Sequence, residues 1–444
     1  MRAQHESTEI SRREALRRGL IAATAFAFAP GFGRPAFGAS TTPSKAKAVI
    51  QIWMWGGPCH LDTFDPKPGA GYDFCGPLNK PISTKASGIQ ICELLPLLAQ
   101  QADKYSIIRS MTHGSFAHET ASYIVQTGHQ PDRLVYPNMG AVVAMLKGYE
   151  HGYTGLIPPY VVLNESQGRF SEAGFLGERF KPFVTGGDPN QARFIVEGIV
   201  APGITDERQQ ARKALLGALD TFGNAMTGNA HLERFDEAEA RAYEMMFGET
   251  RKLFDLSQET NEVREKYGRN TFGQSCLMAR RLVESGVPYV TINYKGWDTH
   301  KQHFEIMRRK LPEMDQGMAT LIQDLSDRGL LDSTIVWWGG EFGRTPKIDW
   351  GAPWNGGRGH YGNCFCSMVA GGGFKGGHAV GKSSARGEEV ADRPVYPHDL
   401  IRTMYKLMGI DPDSPLTNPQ GLDTLVMPAK MEGMEGGGWL REIA

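Results

Sequence analysis

Val287-Pro288-Tyr289-Val290-Thr291-Ile292-Asn293-Tyr294 runs straight into Gly296-Trp297-Asp298-Thr299-His300-Lys301-Gln302-His303. The first run is apolar and of strand length, which reads as a buried β-strand. The second places one carboxylate and two imidazoles within six residues, Asp298 to His303, just past the C-terminal end of that strand. In open α/β sheets that edge is where ligand sites are built. Asp and His together suit a hard or borderline divalent metal such as zinc or manganese. The same string also suits a polar loop with a His at the start of the next helix, so other segments must decide.

Working outward, three further strand-to-loop junctions carry ligand-type residues. Lys47–Trp55 is apolar almost throughout, as a central strand is, and ends in Gly56-Gly57-Pro58-Cys59-His60-Leu61-Asp62. The paired glycines allow close backbone approach, and His60 and Asp62 stand at the same predicted edge. Tyr105–Met111 is a second strand, leading to His113 and His118 at the start of a helix. Ser333–Trp338 is a third, ending in Gly339-Gly340-Glu341-Phe342-Gly343-Arg344. Arg344 has the planar fork that holds sulfate, phosphate or carboxylate, and a Glu341–Arg344 ion pair within the loop is the simpler use of both. His360 precedes a further strand, Cys364–Ala370. Phe304–Asp327 repeats apolar residues at helical spacing. Strands alternating with helices, and polar residues collected at strand ends, predict an α/β fold with a mostly parallel sheet covered on both faces.

Composition excludes some classes. The chain has 444 residues with 48 Lys and Arg against 49 Asp and Glu, so it has no basic field for nucleic acid. Six cysteines contain no C-x-x-C pair, which argues against a zinc ribbon. Arg12-Arg13 precede an apolar run from Gly19 to Ala29 and then small residues, Ala36-Phe37-Gly38-Ala39. Basic, apolar, small is the order of an export signal, and the run is too short to span a bilayer. The twin arginines resemble a Tat signal, so residues 1–39 are expected to be removed and the protein to act in the periplasm or outside the cell. The rest, 40–444, reads as one domain, with a charged helical insertion over 203–270 and no membrane-spanning stretch.

Gly56–Pro68, Gly296–His300, Gly340–Pro346 and Gly357–His360 together resemble the exported proteins of domain-of-unknown-function family 1501. That family is similar in fold to the alkaline phosphatase and sulfatase superfamily, which implies an alkaline-phosphatase-like three-layer α/β/α arrangement. It also implies one or two divalent metals, with Asp298, His300 or His303, Glu341 and His360 at the ligand positions and His60 or Asp62 replacing a missing first-strand ligand. Phosphatases of the superfamily carry a hydroxyl nucleophile about nine residues before a Thr-Gly pair; counting back from Thr127 reaches His118. No formylglycine motif is present either. The expectation is therefore a metal-dependent hydrolase of a sulfate or phosphate ester, on a free or polysaccharide-derived substrate, that uses zinc, manganese or calcium. Water would attack, Arg344 would hold the anion, and His118 or His60 would be a further ligand or the general acid. The alternative is a non-catalytic binder of polysaccharide or protein on the same fold.

Overall fold

The computed structural model describes residues 44–166, 172–191, 249–429 and 436–444, with scattered positions between 194 and 244. Residues 1–39 and most of 203–270 lie outside the described residues.

Eight strands form the central sheet: β1 (Ala48–Trp53), β2 (Tyr105–Met111), β3 (Tyr160–Leu163), β4 (Phe183–Val184), β5 (Tyr289–Asn293), β6 (Thr334–Gly339), β7 (Phe365–Ala370) and β8 (His378–Val380). Their order across the sheet is β8-β2-β7-β6-β1-β5-β3-β4. β1 lies at the centre, parallel to β5 and β6, with Gln51 opposite both Thr291 and Trp337. Every residue of β1, β5 and β6 is buried, and a strand covered on both faces reads as a continuous apolar run for that reason. Only β7 runs against the rest, antiparallel to β2 and β6. Neither that reversal nor the short strands β4 and β8 is visible in the sequence. Two or three residues beside glycines are too few to show a period of two.

Helices cover both faces, giving the expected three layers. In chain order they include α1 (Pro96–Gln100), α2 (His118–Thr127), α3 (Met139–Lys147), α4 (Asn261–Tyr267), α5 (Thr271–Glu284), α6 (His303–Asp327) and α7 (Pro397–Leu407). On one face Ile50, Ile52, Val290, Ile292, Val336 and Trp338 share a core with Leu277 and Leu282 of α5 and Met307, Leu311 and Met318 of α6. Strand alternation turns Tyr160 the other way, where Gly140 of α3 lies against its ring and Asn138 donates to its hydroxyl at 2.7 Å. No helix among the described residues is long and apolar enough to cross a membrane. The six cysteines are buried and free.

This topology places the site. β1, β2, β5 and β6 all point their C-terminal ends to one edge. Because β7 is reversed, its N-terminal end lies there too. Gly56, His118, Asp298, His300, Glu341 and His360 are therefore gathered from four separate connections, Glu341 and His360 from the two ends of the one between β6 and β7.

Candidate metal centre

Asp298 is the hub of this edge. Its Oδ1 lies 3.1 Å from His300 Nε2 and 3.2 Å from His360 Nε2, and its Oδ2 lies 3.3 Å from His118 Nε2. The two Nε2 atoms of His300 and His360 are 2.8 Å apart. Asp298 is 42% exposed, so the cluster opens to solvent.

Each histidine is held from behind. His360 Nδ1 donates to the Phe116 carbonyl at 2.8 Å, which leaves a lone pair on Nε2 in the neutral ring. His118 Nδ1 donates to Glu341 Oε1 at 2.6 Å, so its Nε2 likewise carries the lone pair when neutral. His360 is placed by a two-stranded ribbon in which it pairs with Arg344 and Tyr361 with Gly343. His118 opens α2 and its ring lies against Phe342, 4.9 Å between centroids.

The acids behave differently. Glu341 is fully buried, and its carboxylate accepts from the Gly56 N–H at 2.9 and 3.2 Å as well as from His118. Gly56 has φ +111°, and a Cβ there would meet the Asp298 N at 2.2 Å, so only glycine fits. Glu341 thus stands behind His118 and not in the open cluster. Arg344 is buried; it donates to the carbonyls of Gly56 and Gly57 and pairs with Asp298. That placement turns the guanidinium inward, onto the loop that carries Asp298.

These contacts set the protonation states. Burial lowers the His118 pKa, but hydrogen bonds to Asp298 and Glu341 outweigh it and raise the value to about 9. Burial raises that of Asp298, and His118 and Arg344 outweigh this and hold it far below the usual carboxylate range. His300 is lowered by burial in spite of Asp298, with Arg344, His360 and His118 adding to the effect.

The other expected residues lie elsewhere. His303 Nε2 meets Asp62 at 2.8 Å, its Nδ1 meets the Thr299 hydroxyl at 2.6 Å, and both His303 and Asp62 are fully buried. Arg358 pairs with the same Asp62 oxygen at 2.9 Å. His300 and His303, three residues apart, are thus divided between an open cluster and a closed ion network. His60 is buried too, with Nε2 2.9 Å from the Gly387 carbonyl, and burial lowers its pKa to about 4. Arg358 has no assigned role in the sequence reading, and His113 stands there only as one of the histidines after β2. Arg358 neutralises Asp62, and His113 donates from Nε2 to the Glu341 carbonyl at 2.7 Å while its Nδ1 accepts from the Ser115 N–H. A guanidinium inside Gly356-Gly357-Arg358-Gly359 was the one available hint.

Two sets of side chains have the donor chemistry for a metal: His118, Asp298 and His360 at the open edge, and Cys59, Asp62 and His303 inside. In the inner set Arg358 already supplies the cation, and burial raises the Cys59 thiol far from its ionised form. The open set suits a metal on chemical grounds. One ionised carboxylate and three imidazole nitrogens converge, and two of those nitrogens repel at 2.8 Å unless a proton or a cation intervenes.

A three-layer α/β protein with a His/Asp cluster at its strand ends is thereby defined. Residues 46–431 match the family described as "Protein of unknown function (DUF1501)", and the chain belongs to it. No curated protein matches the chain. Among solved structures it is similar to a protein in the alkaline phosphatase superfamily from Vibrio parahaemolyticus (11% identity, 89% of this chain and 75% of that one, TM-score 0.40). It is also similar to the lipoteichoic acid synthase LtaP from Listeria monocytogenes (9%, 85% and 74%, 0.39). A third is the alkaline phosphatase of the Antarctic bacterium TAB5 (10%, 82% and 98%, 0.37). At these scores the likeness says nothing about what this chain acts on.

Proposed function

We propose that the protein is an exported, metal-dependent hydrolase of a sulfate or phosphate ester, with Asp298, His300, His360 and His118 as the ligand set. The observation that carries this is the convergence of the three histidine Nε2 atoms on one ionised carboxylate, two of them with the opposite ring nitrogen already committed to an oxygen acceptor. That backing by a carbonyl or carboxylate is how metal-ligating histidines are oriented. Bound there, a divalent ion supplies Lewis-acid polarisation of the ester oxygen and a more acidic water.

The chain's own residues do the rest. Glu341 fixes the His118 ring and its tautomer, and the buried carboxylate keeps a proton on Nδ1. Arg344 holds Asp298 in place from the protein side and is a positioning residue. With Nε2 as the ligand atom and Nδ1–H held by Glu341, His118 has no proton to give, so the alkoxide or phenoxide leaving group takes its proton from water at the open edge. Residues 1–39 serve as the Tat signal, so the protein is loaded before export and works outside the cytoplasm.

The test is elemental analysis of protein purified without chelator, for wild type and an Asp298→Ala, His360→Ala double variant, followed by turnover of an arylsulfate and an arylphosphate. Near-stoichiometric metal lost in the variant, with turnover lost in parallel, is expected. Failure to retain metal, even after reloading, overturns the reading. Metal without turnover of either ester favours the second one: a binder on the same fold, in which His118 occupies the place where a hydroxyl nucleophile would stand.

A further inference from the structure

Four large aromatic side chains are well exposed among the described residues: Tyr72 (58%), Phe116 (44%), Trp350 (40%) and Trp354 (38%). Two of them, Phe116 and Trp354, stand beside the open cluster, and Trp350 and Tyr72 continue outward from the loop that carries Trp354. The Trp354 ring is 6.2 Å from His300, and the Phe116 carbonyl is the acceptor for His360. Trp350 stacks on Phe304 (5.8 Å, 18°), and Tyr72 stacks on Trp350 (5.1 Å, 7°). The stack therefore grows outward from the core, from a buried Phe304 to a Tyr72 that leaves one ring face to solvent. Exposed apolar surface of this kind, rimming a polar site, marks a ligand surface and not chance exposure.

The rings are also fixed. Asp349 N donates to the Gly357 carbonyl at 3.0 Å, Trp354 N to Gly351 at 2.8 Å, and Gln302 N to Trp354 at 3.0 Å. A Cβ on Gly357 would lie 1.8 Å from the His300 carbonyl oxygen, so the Trp354 loop is pressed directly onto the cluster loop. The Lys301 ammonium stands 5.9 Å over the Trp354 ring. Rigid Trp and Tyr faces offer large contact area at little entropic cost. A flat aromatic face matches the C–H-lined face of a pyranose, and an ammonium beside it matches an anionic substituent.

We propose that Trp354, Trp350 and Tyr72 form a saccharide-binding platform that presents an anionic polysaccharide to the cluster, with Lys301 contacting its charged groups. This names the substrate class of the site and rests on the reading of the cluster as the reacting centre. The platform extends away from His300, so it holds the sugars next to the one whose ester reaches Asp298.

The experiment is affinity electrophoresis of the full chain in native gels containing dextran sulfate, chondroitin sulfate, polygalacturonate or neutral dextran. Trp354→Ala, Tyr72→Ala and the pair are compared with wild type, and circular dichroism and the thermal midpoint check the fold. Wild type is expected to be retarded by at least one anionic polymer and less by neutral dextran, with at least tenfold weaker retardation in the pair. No retardation by any anionic polymer, or equal retardation of wild type and pair, overturns the proposal. So does a dimer in sedimentation that the pair converts to monomer, which makes the face a protein interface. Metal content separates the two readings. Retardation lost in the pair with no metal in wild type keeps the platform and removes the hydrolase, and metal without retardation does the reverse.

Discussion

Replacing Glu341 by Gln tests the centre through a residue that touches no solvent. The amide keeps the shape of the side chain and an oxygen for the Gly56 N–H, but it removes the negative charge behind His118. The 2.6 Å contact to His118 Nδ1 is then no longer charge-assisted, so the ring is a weaker donor from Nε2 and less firmly oriented. Changes to such supporting partners lower metal affinity by ~10–100-fold. At about 1.4 kcal/mol per tenfold, that is about 1.4–2.8 kcal/mol. The assay is competition titration of zinc against a chromogenic chelator at fixed pH, with circular dichroism to confirm the fold. Asp298→Ala, which removes the hub, is expected to lose more than Glu341→Gln. A Glu341→Gln protein that is folded and binds zinc as tightly as wild type refutes the assignment of His118 as a ligand backed by Glu341.

Asp62→Ala is expected to cost ~3–5 kcal/mol in urea unfolding, because Arg358 is left as an unpaired buried charge; a loss below ~1 kcal/mol contradicts this. His300→Ala and His303→Ala should part company. The first lowers metal content and leaves the thermal midpoint near wild type, whereas the second lowers the midpoint and leaves metal content intact; the opposite pattern sinks the division between open cluster and closed network. Asp315 accepts from Leu97 N and Leu98 N at 2.9 and 2.7 Å, at the start of α1, and burial pushes its carboxyl up to about 6. A folded value above the unfolded ~4 means that Asp315 stabilises the fold most when protonated. Its contribution is full below about pH 4 and is lost as pH rises through 6. The stability difference between wild type and Asp315→Asn should therefore change between pH 4 and 6 and be flat from 7 to 8, as read by urea midpoints.

The sequence by itself determined the layers and the edge. Continuous apolar runs such as Ala48–Trp53 and Thr334–Gly339 have only one place to be buried, in a sheet covered on both sides, and a parallel sheet sends its strand ends to a common rim. Asp298, Glu341 and His360 were therefore legible as rim residues from position alone. What each rim residue faces was decided only by tertiary structure, because inward or outward aim depends on a few backbone angles that carry no periodic signal. Gln302 adopts φ +50° just before α6, and within three residues His300 is at the open cluster while His303 is sealed against Asp62. Gly56 brings its N–H onto Glu341 and withdraws that carboxylate from the cluster, and Arg344 turns inward because the carbonyls of Gly56 and Gly57 lie within its reach. The reversal of β7, which delivers His360, follows from long-range pairing with β2 and β6. The aromatic rim came from Trp350 and Trp354 in a loop that no local pattern tied to His300; packing alone set them beside it.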